Sequence, residues 1–539
     1  MPTLSRPPSF WNKCIPSILL LLVLVLSGFG TGFNPAAAAG PGDTDPALYS
    51  PVLAGQRDDI FAETEGSLSR YRIDAIFTPS DGETLAEIAG RVELLFVNLT
   101  DESLDELYFR LYSNMASYAD GGITIDSVRV DDDDLAIELS VDDTLATVAL
   151  PAKVEPGESL DLTIEFTTTI PTDPIASYGM FSLDRKTGTY ALAHWLPLLA
   201  GYDPDSGWLL GEPSRNGDPV FTNSALFDVS ITAPEEFVFA TTGSEEMATP
   251  SRDGLVTRQF VSGPVRDFVM AIDDDFIVER QKVSNTTVNS YFNPGNEAGG
   301  QIVLKAGAQS LEVFNRLIGE YPYEEMDLVE VDLGNGAGGV EFPQLMFIGS
   351  DYYKGGAATT IPDFLEFIVA HEVGHQWFYA LIGNNQYDHA FIDEGLTNFM
   401  TTVYFGEVYG ANAERLQVNY NLKSSYFSLL FDGLDAVADQ PADDFASQRA
   451  YGAIIYGKAA LGFEALRDEI GADAFYAALQ QYLDAYRFGV ASPLDLKAIF
   501  EETSGRNLDE FWRHWFEAAE GREDFDAADL AILLREIGR

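Results

Sequence analysis

The residues best suited to chemistry lie in one short run, His371-Glu372-Val373-Gly374-His375, inside the stretch Ile361–Ile382. Thr360, Pro362 and Asp363 read as a helix start with an acid in the first turn. On a helix, positions i and i+4 share a face about 6 Å apart, so both imidazoles can reach one ion. Zinc accepts neutral imidazole, and a catalytic zinc takes three protein ligands and keeps one position for water. Glu372, one residue from His371, is rotated off the ligand face and meets that water rather than the metal. With five histidines in 539 residues, this arrangement is a rare coincidence by chance. A third histidine in the extended HExxHxxGxxH pattern is excluded, because Phe378 and Leu381 occupy the two positions it requires. Eighteen residues intervene between His375 and Glu394, which lies in Asp393-Glu394-Gly395 near the start of the next helical segment. Glu394 completes a His2Glu ligand set.

Periodicity shows what must position these groups. From 57 to 275, runs of β-branched and aromatic residues are broken by Gly, Pro, Asp and Asn, as in Tyr71–Phe77, Gly90–Val97, Leu160–Thr168, Phe227–Thr232 and Phe268–Ile272. The near-alternation of Arg91–Val97 is that of a half-buried strand. An all-β domain is predicted over 57–275. Beyond it Ile302–Ile318 has helical spacing, Met326–Val331 reads as a strand, and a glycine cluster follows at Gly334–Gly339. Helical patterns then dominate from 361 to 520, so the catalytic domain is predicted over 276–520, with a charged appendage at 521–539 holding one short helix.

Residues 1–39 read as a signal peptide, with Arg6 and Lys13, an apolar Ile15–Leu26 and the small-residue run Ala36–Ala39. The Gly/Pro/Ala-rich residues 40–56 read as a linker. The apolar run is short of the roughly 20 residues that span a bilayer, so the reading is an exported chain with no stable membrane insertion once the leader is cleaved. The 85 acidic against 32 basic residues give a net charge of −53, which argues against a nucleic-acid partner. An acidic surface with few lysines fits a saline exterior, where salt screens the self-repulsion. One cysteine rules out an internal disulfide framework and any multi-cysteine zinc site. The acid runs Asp131–Asp134 and Asp273–Asp275 read as solvated turns. His389 reads as a loop histidine and His194 and His514, beside tryptophans, as packing residues; Asn98 and Asn285 fall in N-x-T sequons.

The combination HEVGHQWF…FIDEG resembles the HExxH-x18-E signature of the aminopeptidase N / leukotriene A hydrolase family of gluzincins. Gly338-Gly339-Val340-Glu341-Phe342 resembles that family's GxMEN exopeptidase motif, and Tyr456-Gly457-Lys458-Ala459 resembles its YxKG segment. Less specifically, His194–Pro197, Tyr202–Trp208 and Pro264–Ile272 look like parts of the family's β-rich amino-terminal domain. The resemblance spans roughly residues 65–520. It implies an α+β fold in which an all-β saddle-like domain precedes a mostly α, thermolysin-like catalytic domain.

The resemblance also implies a function: a zinc-dependent aminopeptidase acting on peptides, with one Zn2+ per chain held by His371, His375 and Glu394. Glu372 is then the general base and Tyr456 the donor to the tetrahedral oxyanion. Glu341 pairs with the substrate's free α-amine, while Gly338 and Gly339 present backbone to an extended peptide. The sequence departs from the family pattern at Val340 and Phe342, which implies a reshaped first subsite, and at Thr401, where many relatives carry a glutamate behind a metal histidine. The long helical carboxy-terminal domain of larger relatives has no counterpart after Trp515, which implies a more open cleft. An endopeptidase or an epoxide hydrolase would share the same metal set. A catalytically idle surface binding module is the reading from outside enzymology.

Overall fold

A computed structural model describes residues 44–537 apart from 174–178, 215, 219, 335 and 355–363. The leader at 1–39 and the helix start at Thr360–Asp363 lie outside the described residues. After a short helix, α1 (Arg57–Thr64), the chain builds an eight-stranded sheet. Its centre is the strand Ser69–Thr78, parallel to Ala225–Pro234 on one side and antiparallel to Ala86–Val97 on the other. Ser69–Thr78 buries every second residue, including Tyr71, Ile73, Ala75 and Phe77, as the period-two pattern requires. Cross-strand pairing seats Tyr71 opposite Phe227, with the rings stacked 4.7 Å apart. Two four-stranded sheets and a two-stranded one (Tyr202–Asp203 with Gly207–Trp208) also belong to this β-rich half, one of the four-stranded sheets holding Val238–Thr241, Met270–Asp273, Tyr190–Leu192 and Phe181–Leu183.

A five-stranded sheet follows in the spatial order Ile277–Val283, Thr286–Phe292, Glu325–Val331, Leu345–Gly349 and Gly339–Phe342. Its three inner strands run parallel, and both outer strands are antiparallel to their neighbours. Alternation splits the buried residues between two layers. Met326, Leu328, Met346 and Ile348 join the core that contains α2 (Glu297–Leu317). Val329, Val331, Val340, Phe342 and Phe347 pack instead against Ala191, Ala240, Val269 and Ala271 of the four-stranded sheet. The order of layers is therefore helix, mixed sheet, β sheet.

Arg266 joins the two halves. It is 2% exposed and donates to three backbone carbonyls, those of Thr222 (3.0 Å), Tyr379 (2.7 Å) and Gly489. Gly383 must lack a side chain, because a Cβ there would lie 2.3 Å from the guanidinium carbon. Substituting Arg266→Met takes the side-chain donor from the buried carbonyls of Thr222 and Tyr379, at about 1–3 kcal/mol each, while Gly489 O keeps the Gly383 N–H at 3.1 Å. The expected loss is at least about 2 kcal/mol, read as a lower urea midpoint at unchanged slope.

His194 offers a pH-dependent test of the β-rich half. It is 1% exposed with φ of 59°, and burial pulls its imidazolium down to about 3. In the unfolded chain a histidine titrates near 6.5. Below that pH the unfolded state binds a proton that the native state refuses, so stability falls as pH drops from about 6.5 toward 3. His194→Asn tolerates the left-handed backbone. Between pH 7 and 5 its unfolding free energy should fall about 2 kcal/mol less than that of the parent, measured by urea titration at both values.

Several expectations change. The helical stretch predicted to reach Ile382 stops at Gly374, and the chain turns back so that Tyr379 N–H bonds Ile382 O. Tyr379 is held there by Arg266, a contact no local pattern encodes. Asp273 is not solvated: it is fully buried and accepts from Thr189 Oγ1 at 2.6 Å. Asn98 is also fully buried, its amide donating to Glu102 O and Val154 O, so that sequon is closed.

Candidate metal and peptide site

α3 (Phe364–Gly374) is apolar nearly all round, and it runs into the core rather than along the surface. His371 lies in its last turn and His375 one residue beyond its end, where His375 N–H still reaches His371 O at 3.3 Å. Glu394 comes from a π-helical turn, Phe391–Gly395, that leads into α4 (Leu396–Tyr409). Such wider turns swing side chains off the regular helical face and recur at functional sites. Gly395 permits it: a Cβ there would meet the Ala459 methyl at 2.8 Å.

Three candidate ligand atoms converge. The two Nε2 atoms lie 3.1 Å apart, and Glu394 Oε2 lies 3.1 Å from His371 Nε2 and 3.2 Å from His375 Nε2. Ligand bonds of about 2.0–2.1 Å to a tetrahedral ion separate ligand atoms by about 3.3–3.4 Å, so the triangle fits a zinc-sized cation with little adjustment. The tautomer fits as well, because His375 Nδ1 donates to Phe378 O at 3.0 Å and leaves Nε2 as the lone-pair nitrogen. Charge points the same way: Glu341, Glu372, Asp393 and Glu394 are all at least 94% buried around two histidines. Burial, then Glu341 and its neighbours, pushes the Glu372 carboxyl well above the usual range, and burial followed by Asp218 does the same to Glu341. Burial alone would lower His375, but the Glu394 carboxylate outweighs it and raises the imidazolium to about 9. A cation displaces that proton.

Glu341 stands on the outer strand Gly339–Phe342 with its Oε1 3.9 Å from His375 Nδ1. Its neighbours Val340 and Phe342 point the other way, into the layer between the two sheets. The two departures from the exopeptidase motif therefore do not reshape the cleft wall. The glycines before Glu341 are required by close approach. A Cβ on Gly339 would fall 2.4 Å from Glu372 Oε1, and one on Gly338 would fall 3.0 Å from Ile368. Tyr456 sits on another π-helical turn, Ala453–Ala459, and its hydroxyl donates to Glu394 Oε1. Tyr451 lies behind it, 6.2 Å between ring centres, and does not line the cleft.

The cleft, of about 300 Å³, is lined by Gly338, Gly339, Glu341, His371, Glu372, Glu394 and Tyr456 together with Asp218. Asp218 had no signal in the sequence: it follows the bend at Asn216 and Gly217 in the β-rich half and reaches the cleft only through tertiary packing. Gln376 was missed too. Its Oε1 accepts from Gln344 N–H at 2.8 Å and its Nε2 donates to Phe342 O at 2.9 Å, which ties the Glu341 strand to the histidine helix. Thr401 does not back a histidine; its hydroxyl returns to Thr397 O. His389 pairs with Asp439 at 2.5 Å, away from the ligand triangle.

A peptidase family M1 domain matches residues 303–515. Aminopeptidase M1-D of Oryza sativa subsp. japonica is 24% identical over 311 residues, covering 54% of this chain and 34% of that one. The puromycin-sensitive aminopeptidase of Caenorhabditis elegans is 23% identical over 403 residues, 70% of this chain and 40% of that one. The chain thus spans well under half of these curated relatives. Among solved structures, the M1 zinc metallopeptidase from Deinococcus radiodurans superposes with a TM-score of 0.62 at 18% identity, covering 84% of this chain and 93% of that one. The fold is therefore that of a two-part M1 metallopeptidase, an all-β half before a mostly helical half.

Proposed function

The chain carries a peptidase family M1 domain over residues 303–515, and from that premise we propose that it is a zinc-dependent aminopeptidase. His371, His375 and Glu394 would hold one Zn2+, which when bound supplies a Lewis acid able to bring a water's pKa from about 15.7 to near 7. Glu372 takes the proton of the attacking water and passes it to the departing amine. Tyr456 donates a hydrogen bond to the oxyanion that develops on the scissile carbonyl. Glu341 and Asp218 grip the substrate's free α-ammonium from two sides of the cleft. One observation carries the exopeptidase reading: a buried carboxylate, Glu341, sits 3.9 Å from a metal-ligand histidine on a sheet edge with glycine before it. A peptide with its amine there has its first carbonyl beside Glu372.

The division at 57–275 and 276–520 belongs to this reading, supported by the change of sheet between Met270–Asp273 and Ile277–Val283. So does export, which rests on the leader-like sequence; among the described residues no helix is long and apolar enough to cross a membrane.

The test combines metal analysis with paired substrates. About one zinc per chain is expected, and chelation should abolish hydrolysis and lower Tm, both restored by zinc. Peptides with a free amine should be cut and their N-acetyl counterparts spared. Equal rates on the two would point to an endopeptidase. Full activity without metal, or no hydrolysis by a zinc-loaded protein, would overturn the proposal.

A further inference from the structure

We propose that Asn398 is a positioning residue whose one amide serves two groups, taking the Nδ1 hydrogen of His371 and holding the backbone that carries Tyr456. This rests on the zinc aminopeptidase reading and adds to it a residue of α4 that supplies no metal ligand.

The two ends of the amide are assigned by their surroundings. Asn398 lies in the first turn of α4, is 3% exposed and lines the cleft with His371, Glu394 and Tyr456. Its Nδ2 donates to Tyr456 O at 2.6 Å, which leaves Oδ1 as an acceptor. Besides Glu394 and His375, Asn398 is the side chain whose polar group acts on the His371 ring.

His371 needs that acceptor. Its Nε2 faces the other two candidate ligand atoms, 3.1 Å from Glu394 Oε2 and 3.1 Å from His375 Nε2. A ligand nitrogen must present a lone pair, so the ring hydrogen belongs on Nδ1. Nδ1 is buried and closes no hydrogen bond among the described residues. His375 meets the same requirement with Phe378 O at 3.0 Å. Thr401, three residues further along α4, does not supply it, because its hydroxyl returns to Thr397 O at 2.8 Å. Asn398 Oδ1 fills that place and so fixes the tautomer and the plane of the ring.

The other end steadies the oxyanion donor. Tyr456 sits on the π-helical turn Ala453–Ala459, which packs against the turn of Glu394 where Gly395 faces Ala459. The Asn398 bond pins the carbonyl of the very residue that bears the phenol. That phenol ring lies 5.9 Å from the His371 ring, so both ends of the amide act within one corner of the cleft. Displacing a reacting group by about 1 Å costs on the order of 10²-fold in rate, so a loosened turn would be felt in kcat.

The experiment compares Asn398→Ala with Asn398→Asp. Zinc affinity is read by competition with a chelating indicator, and kcat and KM are read on leucine amide with zinc-saturated protein. Asn398→Ala should weaken zinc binding about 10–100-fold and lower kcat about tenfold or more, with KM little changed. Asn398→Asp keeps an acceptor for Nδ1 and loses the donor to Tyr456 O. Its zinc affinity should stay within about threefold of the parent while kcat falls as in the alanine variant. In a Tyr456→Phe background the same Asn398→Asp change should cost no further kcat, because its effect runs through that hydroxyl. Aspartate has nearly the shape of asparagine, so the test stands even where alanine weakens the fold. Zinc affinity lost equally in both variants, or a full kcat loss repeated in the Tyr456→Phe background, overturns the assignment. So does an alanine variant that matches the parent in both measurements. Leucine amide left intact by the zinc-loaded parent would defeat the aminopeptidase reading instead, while the zinc affinities would still decide the contact with His371.

Discussion

Glu372→Gln is expected to lower peptide hydrolysis by about 10²–10⁴-fold with zinc content and Tm unchanged, measured by single-turnover assays beside metal analysis. The substitution keeps the shape that Gly339 accommodates and removes only the ability to accept a proton. Shape matters because Glu372 is 5% exposed and lies against the outer strand, where a Cβ on residue 339 would come within 2.4 Å of its Oε1. Glutamine fits that slot. Glu372 belongs to none of the three contacts that form the ligand triangle, so the metal should stay. A fall in zinc content in parallel with activity would mean that Glu372 is a ligand, and would count against its assignment as base.

The second large effect concerns the choice of substrate. Glu341→Gln should cost about 10²-fold or more in kcat/KM on peptides with a free amine, since a buried charge pair that loses one partner costs about 2–5 kcal/mol. The loss on N-acetyl peptides should be far smaller, so the ratio between the two substrates narrows. Empty of substrate, Glu341 has a carboxyl pushed well up by burial and by Asp218, an unfavourable meeting of two acids that an ammonium ion relieves. Asp218→Asn should narrow the same ratio less, because Asp218 is only half-buried. A uniform fall on both substrates would show that Glu341 supports the fold or the metal rather than the amine.

The meeting of His371 and His375 was legible because its geometry is local: i and i+4 on one helix face place two imidazoles together whatever the rest of the chain does. Glu394 was legible from its place eighteen residues beyond His375 near a helix start, although the π-helical turn that aims it was not. Strand positions in the β-rich half followed from alternation, which reports burial of one face and survives most tertiary arrangements.

What the amino-acid order alone determined is therefore the chemistry available: two histidines, a glutamate between them, a distant carboxylate, a tyrosine and a glutamate after glycines, on elements of readable type. The tertiary structure decided which groups share a cleft. Asp218 enters from the β-rich half, Val340 and Phe342 turn into the layer between two sheets, and Gln376 and Arg266 fix the histidine helix to its surroundings. These contacts join residues tens to hundreds apart in the chain, and long-range packing leaves no periodic trace in either partner.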